Sequence, residues 1–203
     1  KLTNTALSLL VEARLGEKPP PEPKPIQLAP QDLAALVGEY ESPSHWARIE
    51  VDGDKLTGDI AGQKISLVPV EPLKFLADGR LMNAEPIRFE RGADGKTTAF
   101  TAMDQKFSRV DPRRSPEVPP SWAEFTGSYG PAYIPLVVSV RHGHLYAMIE
   151  NELDYRLIPA ARNVFVCPPG MYREEYVVFL TGSDGKVFGA SVANMTLPRR
   201  PCR

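Results

Sequence analysis

The sequence predicts an all-β protein: two tandem small antiparallel up-and-down β-barrels preceded by one short helix. Three observations carry that expectation. Polar and apolar residues alternate with a period of two over several short segments, the signature of half-buried strands. An ordered set of landmarks occurs twice: Gly38-Glu39-Tyr40 recurs as Gly127-Ser128-Tyr129 at an offset of 89, and Leu67-Val68-Pro69 as Leu157-Ile158-Pro159 at an offset of 90. Phe89 and Phe179, and Asp94-Gly95-Lys96 and Asp184-Gly185-Lys186, also stand 90 apart, which reads as a tandem duplication. Finally, the 203 residues include 21 Pro, against an average share of about 5%, and ten of these fall in two short connectors.

The elements follow in order. Residues 1–16 carry the one good helical pattern, with Leu2, Ala6, Leu9, Leu10 and Ala13 on one face, Thr3 placed to cap and Gly16 placed to stop it. Nothing nearby in the chain covers that face, so the helix is assigned to closing a domain upstream. Residues 17–30, with six prolines, form an extended polyproline-type linker. The first barrel is expected over 31–110. Its strands read at Trp46 to Val51, Lys55 to Ile60, Ile65 to Val68, Ile87 to Glu90 and Thr97 to Met103, with Asp52-Gly53 as a type I′ hairpin turn. A second Pro-rich linker covers 111–120. The second barrel, 121–203, repeats the pattern at Leu136 to Val140, His144 to Ile149, Tyr155 to Ile158, Val177 to Leu180 and Val187 to Ala193. Closing each meander removes its exposed edges; a β-sandwich made of the same strands satisfies the pattern as well.

Composition narrows the function. Lys and Arg total 24 against 25 Asp and Glu, a net charge of -1, which gives no electrostatic case for nucleic acid or an anionic membrane as a partner. No apolar run approaches the ~20 residues of a membrane span. Cys167 and Cys202 are too few for a disulfide framework and too isolated for a zinc site, so two free thiols are expected and neither a metal nor another cofactor is. The chain begins at Lys1 without a signal-peptide pattern, which reads as a processed product or a piece of a longer protein.

Few residues carry a recognisable chemistry. Ser183-Asp184-Gly185-Lys186 matches Ser-x-x-Lys, a nucleophile signature where it opens a buried helix. The first copy has Ala93-Asp94-Gly95-Lys96 at the same place, so the shared element is the Asp-Gly turn and the serine is incidental. His142-Gly143-His144 offers two rings to one metal, but zinc needs three or four ligands, and the counterpart Gly53-Asp54-Lys55 reads as a solvated turn. His45 beside Trp46 reads as a rim residue at a strand start. The densest polar cluster, Tyr172-Arg173-Glu174-Glu175-Tyr176, follows Cys167-Pro168-Pro169-Gly170, and such loops are common contact surfaces. No residue is assigned as catalytic; His142, His144, Tyr172, Arg173 and Glu174 are the candidate partner-facing loop residues.

The string Asp32 to Tyr40, the Ile49 to Leu56 hairpin, Leu67-Val68-Pro69-Val70 and Phe89 to Lys96 resemble the C-terminal region of serine hydrolases of the class C β-lactamase and D-aminopeptidase type. Asn4 to Leu10 is similar to the closing helix of their catalytic domain. The resemblance implies two lipocalin-like barrels behind an upstream catalytic domain, with a barrel loop able to reach the active-site entrance and limit which substrates enter. It implies that nucleophile, lysine and tyrosine all lie upstream and that the setting is periplasmic or secreted. On this reading the chain is a non-catalytic accessory module whose partner is the catalytic domain, with a homo-oligomer also compatible. The alternative is a lipocalin-like carrier holding a small apolar ligand inside a barrel.

Overall fold

The computed structural model describes residues 2–16 and 23–201. Helix α1 (Leu2–Leu15) stops at Gly16, whose φ of +69 is left-handed, a conformation glycine adopts without steric cost. It begins one residue before Thr3, so Thr3 lies inside the helix. Part of the first linker, residues 17–22, falls outside the described residues, as does Cys202. From residue 23 the chain is extended until a short helix that the sequence reading did not contain, α2 (Pro30–Ala34), where Pro30 takes the first helical position.

The first unit is a closed eight-stranded antiparallel barrel in simple up-and-down order: β1 (Gly38–Glu41), β2 (Trp46–Asp52), β3 (Lys55–Ile60), β4 (Gln63–Glu71), β5 (Lys74–Gly79), β6 (Asn83–Arg91), β7 (Thr97–Ala102) and β8 (Gln105–Val110). The first and last strands close it, pairing Glu39 with Val110, Tyr40 with Arg109 and Glu41 with Ser108. This closure decides against the sandwich for the first unit. The β2–β3 turn is Gly53-Asp54, between paired Asp52 and Lys55. Only Gly53 has positive φ there, so the turn is of type II′ rather than I′.

Period-two burial fills the barrel with Tyr40, Phe75, Phe89, Phe100 and Phe107, all essentially inaccessible to solvent. Phe100 stacks on Phe107 at 4.7 Å between centroids and meets Tyr40 at 5.0 Å and Phe89 at 5.3 Å. An eight-stranded barrel is just wide enough for its own side chains to fill, and here the aromatic rings do so.

The second unit departs from the predicted tandem barrel. It consists of a four-stranded sheet, β9 (Gly127–Tyr129), β10 (Leu136–Arg141), β11 (His144–Ile149) and β12 (Asp154–Arg156). A five-stranded sheet follows, of β13 (Ile158–Ala161), β14 (Val164–Val166), β15 (Tyr176–Thr181), β16 (Val187–Val192) and β17 (Met195–Pro198). Among the described residues, β9 and the end of β17 are joined by an isolated Tyr129↔Arg199 bridge with flanking bonds from Gly130 N to Pro198 O and Arg200 N to Ser128 O, both 2.8 Å, and not by a continuous ladder.

The break between the sheets has a covalent cause. In the first unit Ile65 and Ser66 of β4 pair with Gly79 and Asp78 of β5. Carried over by 90 residues, those β5 positions are Pro168 and Pro169. Proline has no N–H to donate to a ladder, so β14 stops at Val166 and leaves one edge of β12 unpaired within its own unit.

A matched pair of side chains seals each unit. Tyr40 Oη donates to Leu36 O and Tyr129 Oη to Phe125 O, both at 2.7 Å. Burial pushes the Tyr40 phenol up to about 12, so it stays a neutral donor. Arg109 donates to the carbonyls of Ala35, Val37 and Thr97, and its guanidinium lies over the Tyr40 ring at 5.8 Å. Arg199 repeats this on Glu124, Thr126 and Val187, over Tyr129 at 5.9 Å. Tyr40→Phe and Tyr129→Phe are each expected to lower stability by about 1 kcal/mol. Because the two rings lie in separate cores, the double substitution should cost the sum; urea denaturation of all three variants checks both statements.

Candidate functional site

The free edge of β12 does not face water. Asp154 N donates to Ala61 O and Arg156 N to Ser44 O, each at 2.8 Å, so the first unit supplies the acceptors that β14 does not. Docking a strand edge in this way removes a site of unwanted pairing. The change of offset from 89 to 90 belongs to the same junction. Ile60 matches Ile149 at 89, whereas Ser66 matches Arg156 at 90, so the extra residue falls in the β11–β12 turn, residues 150–153. That turn reaches the barrel: Gln63 Nε2 donates to Glu152 O and Arg80 Nη2 to Asn151 O.

Around this edge lies a polar cluster shared by both units. Trp46 Nε1 donates to the Asp154 carboxylate at 3.0 Å, and His45 Nδ1 donates to the Asp154 carbonyl at 2.7 Å. Arg141 stacks over the Trp46 ring, 3.4 Å from its centroid, a cation–π contact. Asp154 is 6% exposed. Burial pushes its carboxyl above the ordinary range, while the Trp46 hydrogen bond and the Arg141 charge pull it back. At the mouth, His142 Nδ1 lies 2.9 Å from Glu41 Oε1, His142 Nε2 lies 3.6 Å from Glu39 Oε2, and Arg156 lies 3.8 Å from Glu41. Glu39 also pairs with Arg48 at 2.6 Å. A cleft of about 690 Å³ runs past Glu41, between Ser44, Lys106, Arg156 and Pro169.

The candidate residues are placed as follows. His142 is not on a solvated turn: its side chain is 12% exposed and set between two carboxylates of the first barrel. It holds a φ of +48 beside Gly143 at +78, the type I′ geometry that turns the ring toward β1. His144 is half-buried near Arg156, and burial followed by that charge lowers its imidazole. His45 is buried rather than at a rim, because the second unit covers it; its ring meets Tyr155 at 5.0 Å. Tyr172 packs edge-on against Tyr155 at 5.7 Å. Arg173 and Glu174 are exposed and pair with each other at 3.3 Å. Ser183 is exposed on the expected hairpin turn, closed by Gly182 N to Lys186 O at 2.9 Å. Asp154, Glu41, Arg141 and Arg156 belong to no motif in the sequence, and Trp46 stands out there only as the neighbour of His45; the signal that points to them is the single-residue shift in repeat offset.

Chemically, the cluster pairs charges across a junction. His142 is committed to Glu41, and burial pushes the Cys167 thiol up to about 11, away from a reactive thiolate. Among the described residues no three His, Cys, Asp or Glu are placed to hold a metal ion, and no helix is long and apolar enough to cross a membrane. Burial also holds the His45 imidazole below its ordinary value of 6.5. The folded state therefore favours the neutral ring. Its contribution is fully present above pH 6.5 and is lost as the pH falls through the lowered folded value. Urea unfolding at descending pH should show that decline, and His45→Asn should flatten it.

No protein family matches this chain, and no curated protein matches it either.

Proposed function

We propose that the chain is a non-catalytic accessory module of a serine hydrolase resembling the β-lactamase and D-aminopeptidase type. It docks on a catalytic domain through α1 and presents its two β units as one coupled body that limits access to the active site. The observation that carries this reading is the apolar surface of α1, where Leu7, Leu9, Leu10 and Leu15 are 61–68% exposed. A helix that leaves several leucines in water is completed by a partner surface. The junction adds support: Asp154, His45 and Trp46 are buried between the units, so the two move as one object. The carrier reading is the weaker one, since the first barrel's interior is filled by Tyr40, Phe75, Phe89, Phe100 and Phe107.

The test uses the chain alone and with a separately produced catalytic domain of this hydrolase type. Alone, it is expected to turn over neither a chromogenic β-lactam nor a D-amino-acid amide. With the domain it is expected to co-elute, and Leu9→Glu combined with Leu10→Glu should abolish co-elution. Turnover by the chain alone that Ser183→Ala removes would overturn the proposal, as would co-elution indifferent to the leucine changes.

A further inference from the structure

The two units treat one equivalent strand edge differently. In the first unit the C-terminal half of β4 runs past the start of β3, so Pro69 O has no neighbouring strand within the barrel to accept from. The chain's own linker fills the gap. Ile26 N donates to Pro69 O at 2.9 Å, and two residues on, Leu28 packs against the barrel core. A short extended segment bounded by Pro25 and Pro30 thus adds to the sheet by one backbone bond and one anchoring side chain.

In the second unit β13 is the counterpart. Pro159 stands opposite Phe165 as Pro69 stands opposite Phe75, and both strands slip register two residues later, at Ala161 and Glu71. The Pro159 carbonyl therefore points away from β14. Proline's missing N–H is no obstacle, because the group used in the first unit is the carbonyl. All four residues of β13 are exposed, Ile158 at 47%. The second linker does not repeat the first one's course: Pro116 lies against Gly143, where a side chain would collide with it, and the chain there lines the cavity beside Glu41 and His142. The bonds from Phe179 N to Asn163 O and from Cys167 N to Glu175 O turn the Phe165 backbone groups toward β15, so Pro159 opposite it makes no bond across β14, and among the described residues no turn or loop N–H donates to Pro159 O.

We propose that the β13 edge is a docking site for an extended peptide segment of a partner chain. The segment presents a free N–H to Pro159 O and lays an apolar side chain along Ile158, as residues 26–28 do on the first unit. This is strand addition to an exposed sheet edge, in which backbone hydrogen bonds give affinity and alternate side chains give specificity. The site is independent of the α1 docking surface, and its failure would leave that reading untouched.

The probe is a fluorescent synthetic peptide with the sequence of residues 23–30, titrated into the full chain. The first unit's own edge is held by its tethered linker at high effective concentration, so the added peptide should report on β13. Saturable binding in the range of about 0.1–1 mM is expected. Methylating the peptide's isoleucine nitrogen, which removes the one backbone bond to Pro159 O, should weaken it about tenfold. Ile158→Glu should weaken it similarly, and Val68→Glu, on the first unit's edge, should not. Ile158 is exposed, so its variant keeps the fold, and an unchanged circular dichroism spectrum checks this. No saturation up to about 5 mM, undiminished binding by the methylated peptide, or binding that survives Ile158→Glu would each overturn the proposal. So would concentration-dependent dimers that Ile158→Glu abolishes while the peptide fails to bind, which would make the edge a self-pairing surface.

Discussion

Replacing Trp46 with alanine is expected to lower stability by about 3–5 kcal/mol, the range for deleting a buried aromatic side chain, and to split one unfolding transition into two. Trp46 is 3% exposed, and three things depend on it at once. Its ring fills the junction, its Nε1 donates to Asp154, and its face supports Arg141. Without it, Asp154 stays buried with its indole donor gone, a condition that costs more than the bond itself contributed.

The pH dependence has a definite sign. The folded Asp154 carboxyl already titrates above its ordinary value of 3.8, because burial outweighs the Trp46 hydrogen bond. A raised folded value means that stability is fully present below 3.8 and declines as the pH rises through the folded value. Removing the indole raises that value further, so the gap between wild type and variant should widen as the pH rises past the wild type's folded value. Trp46→Phe keeps a ring under Arg141 and loses only the donor, at about 1–3 kcal/mol. Calorimetry at low and neutral pH measures all of this. A single transition with less than about 1 kcal/mol lost would mean that the two units are not coupled through this residue.

What the sequence made legible is local. The β2, β3, β10 and β11 strands fall where alternation puts them, because each carries its own period-two pattern and a tight turn beside it. The strands β1, β5, β8, β9, β14 and β17 are short or weakly alternating, so the sequence pattern does not mark them, and several are held mainly by their neighbours. Burial at the junction was illegible for a related reason. His45 and His142 sit on positions that look exposed within a single unit, and only the docking of the second unit covers them. Likewise, Cys167-Pro168-Pro169 was readable as a loop. Its effect of opening the second barrel required knowing that Pro168 and Pro169 stand opposite Ser66 and Ile65 equivalents, which is a fact of register. The repeat offset alone connected both levels, since one inserted residue marks the turn that carries the second unit onto the first.

The matched arginines turn this asymmetry into the second large expectation. Arg109 and Arg199 make the same three kinds of carbonyl contact over the same kind of tyrosine ring, so their direct interactions are alike. Their surroundings are not: the first unit is closed by three β1–β8 residue pairs, the second by one isolated bridge. Arg199→Met should therefore cost about 2–4 kcal/mol, because charge-assisted bonds to three carbonyls are lost where little else joins β9 to β17. Arg109→Met should cost about 1–2 kcal/mol, since the ladder beside it persists. Amide hydrogen exchange distinguishes the two further. Arg199→Met should deprotect the amides of Gly130 and Arg200, which bond across that seam, while Arg109→Met leaves β1 and β8 protected. Equal costs for the two substitutions would mean that the second unit is held closed by its packed aromatic core, with Phe125 stacked on Phe179 at 4.3 Å, rather than by the arginine at its seam.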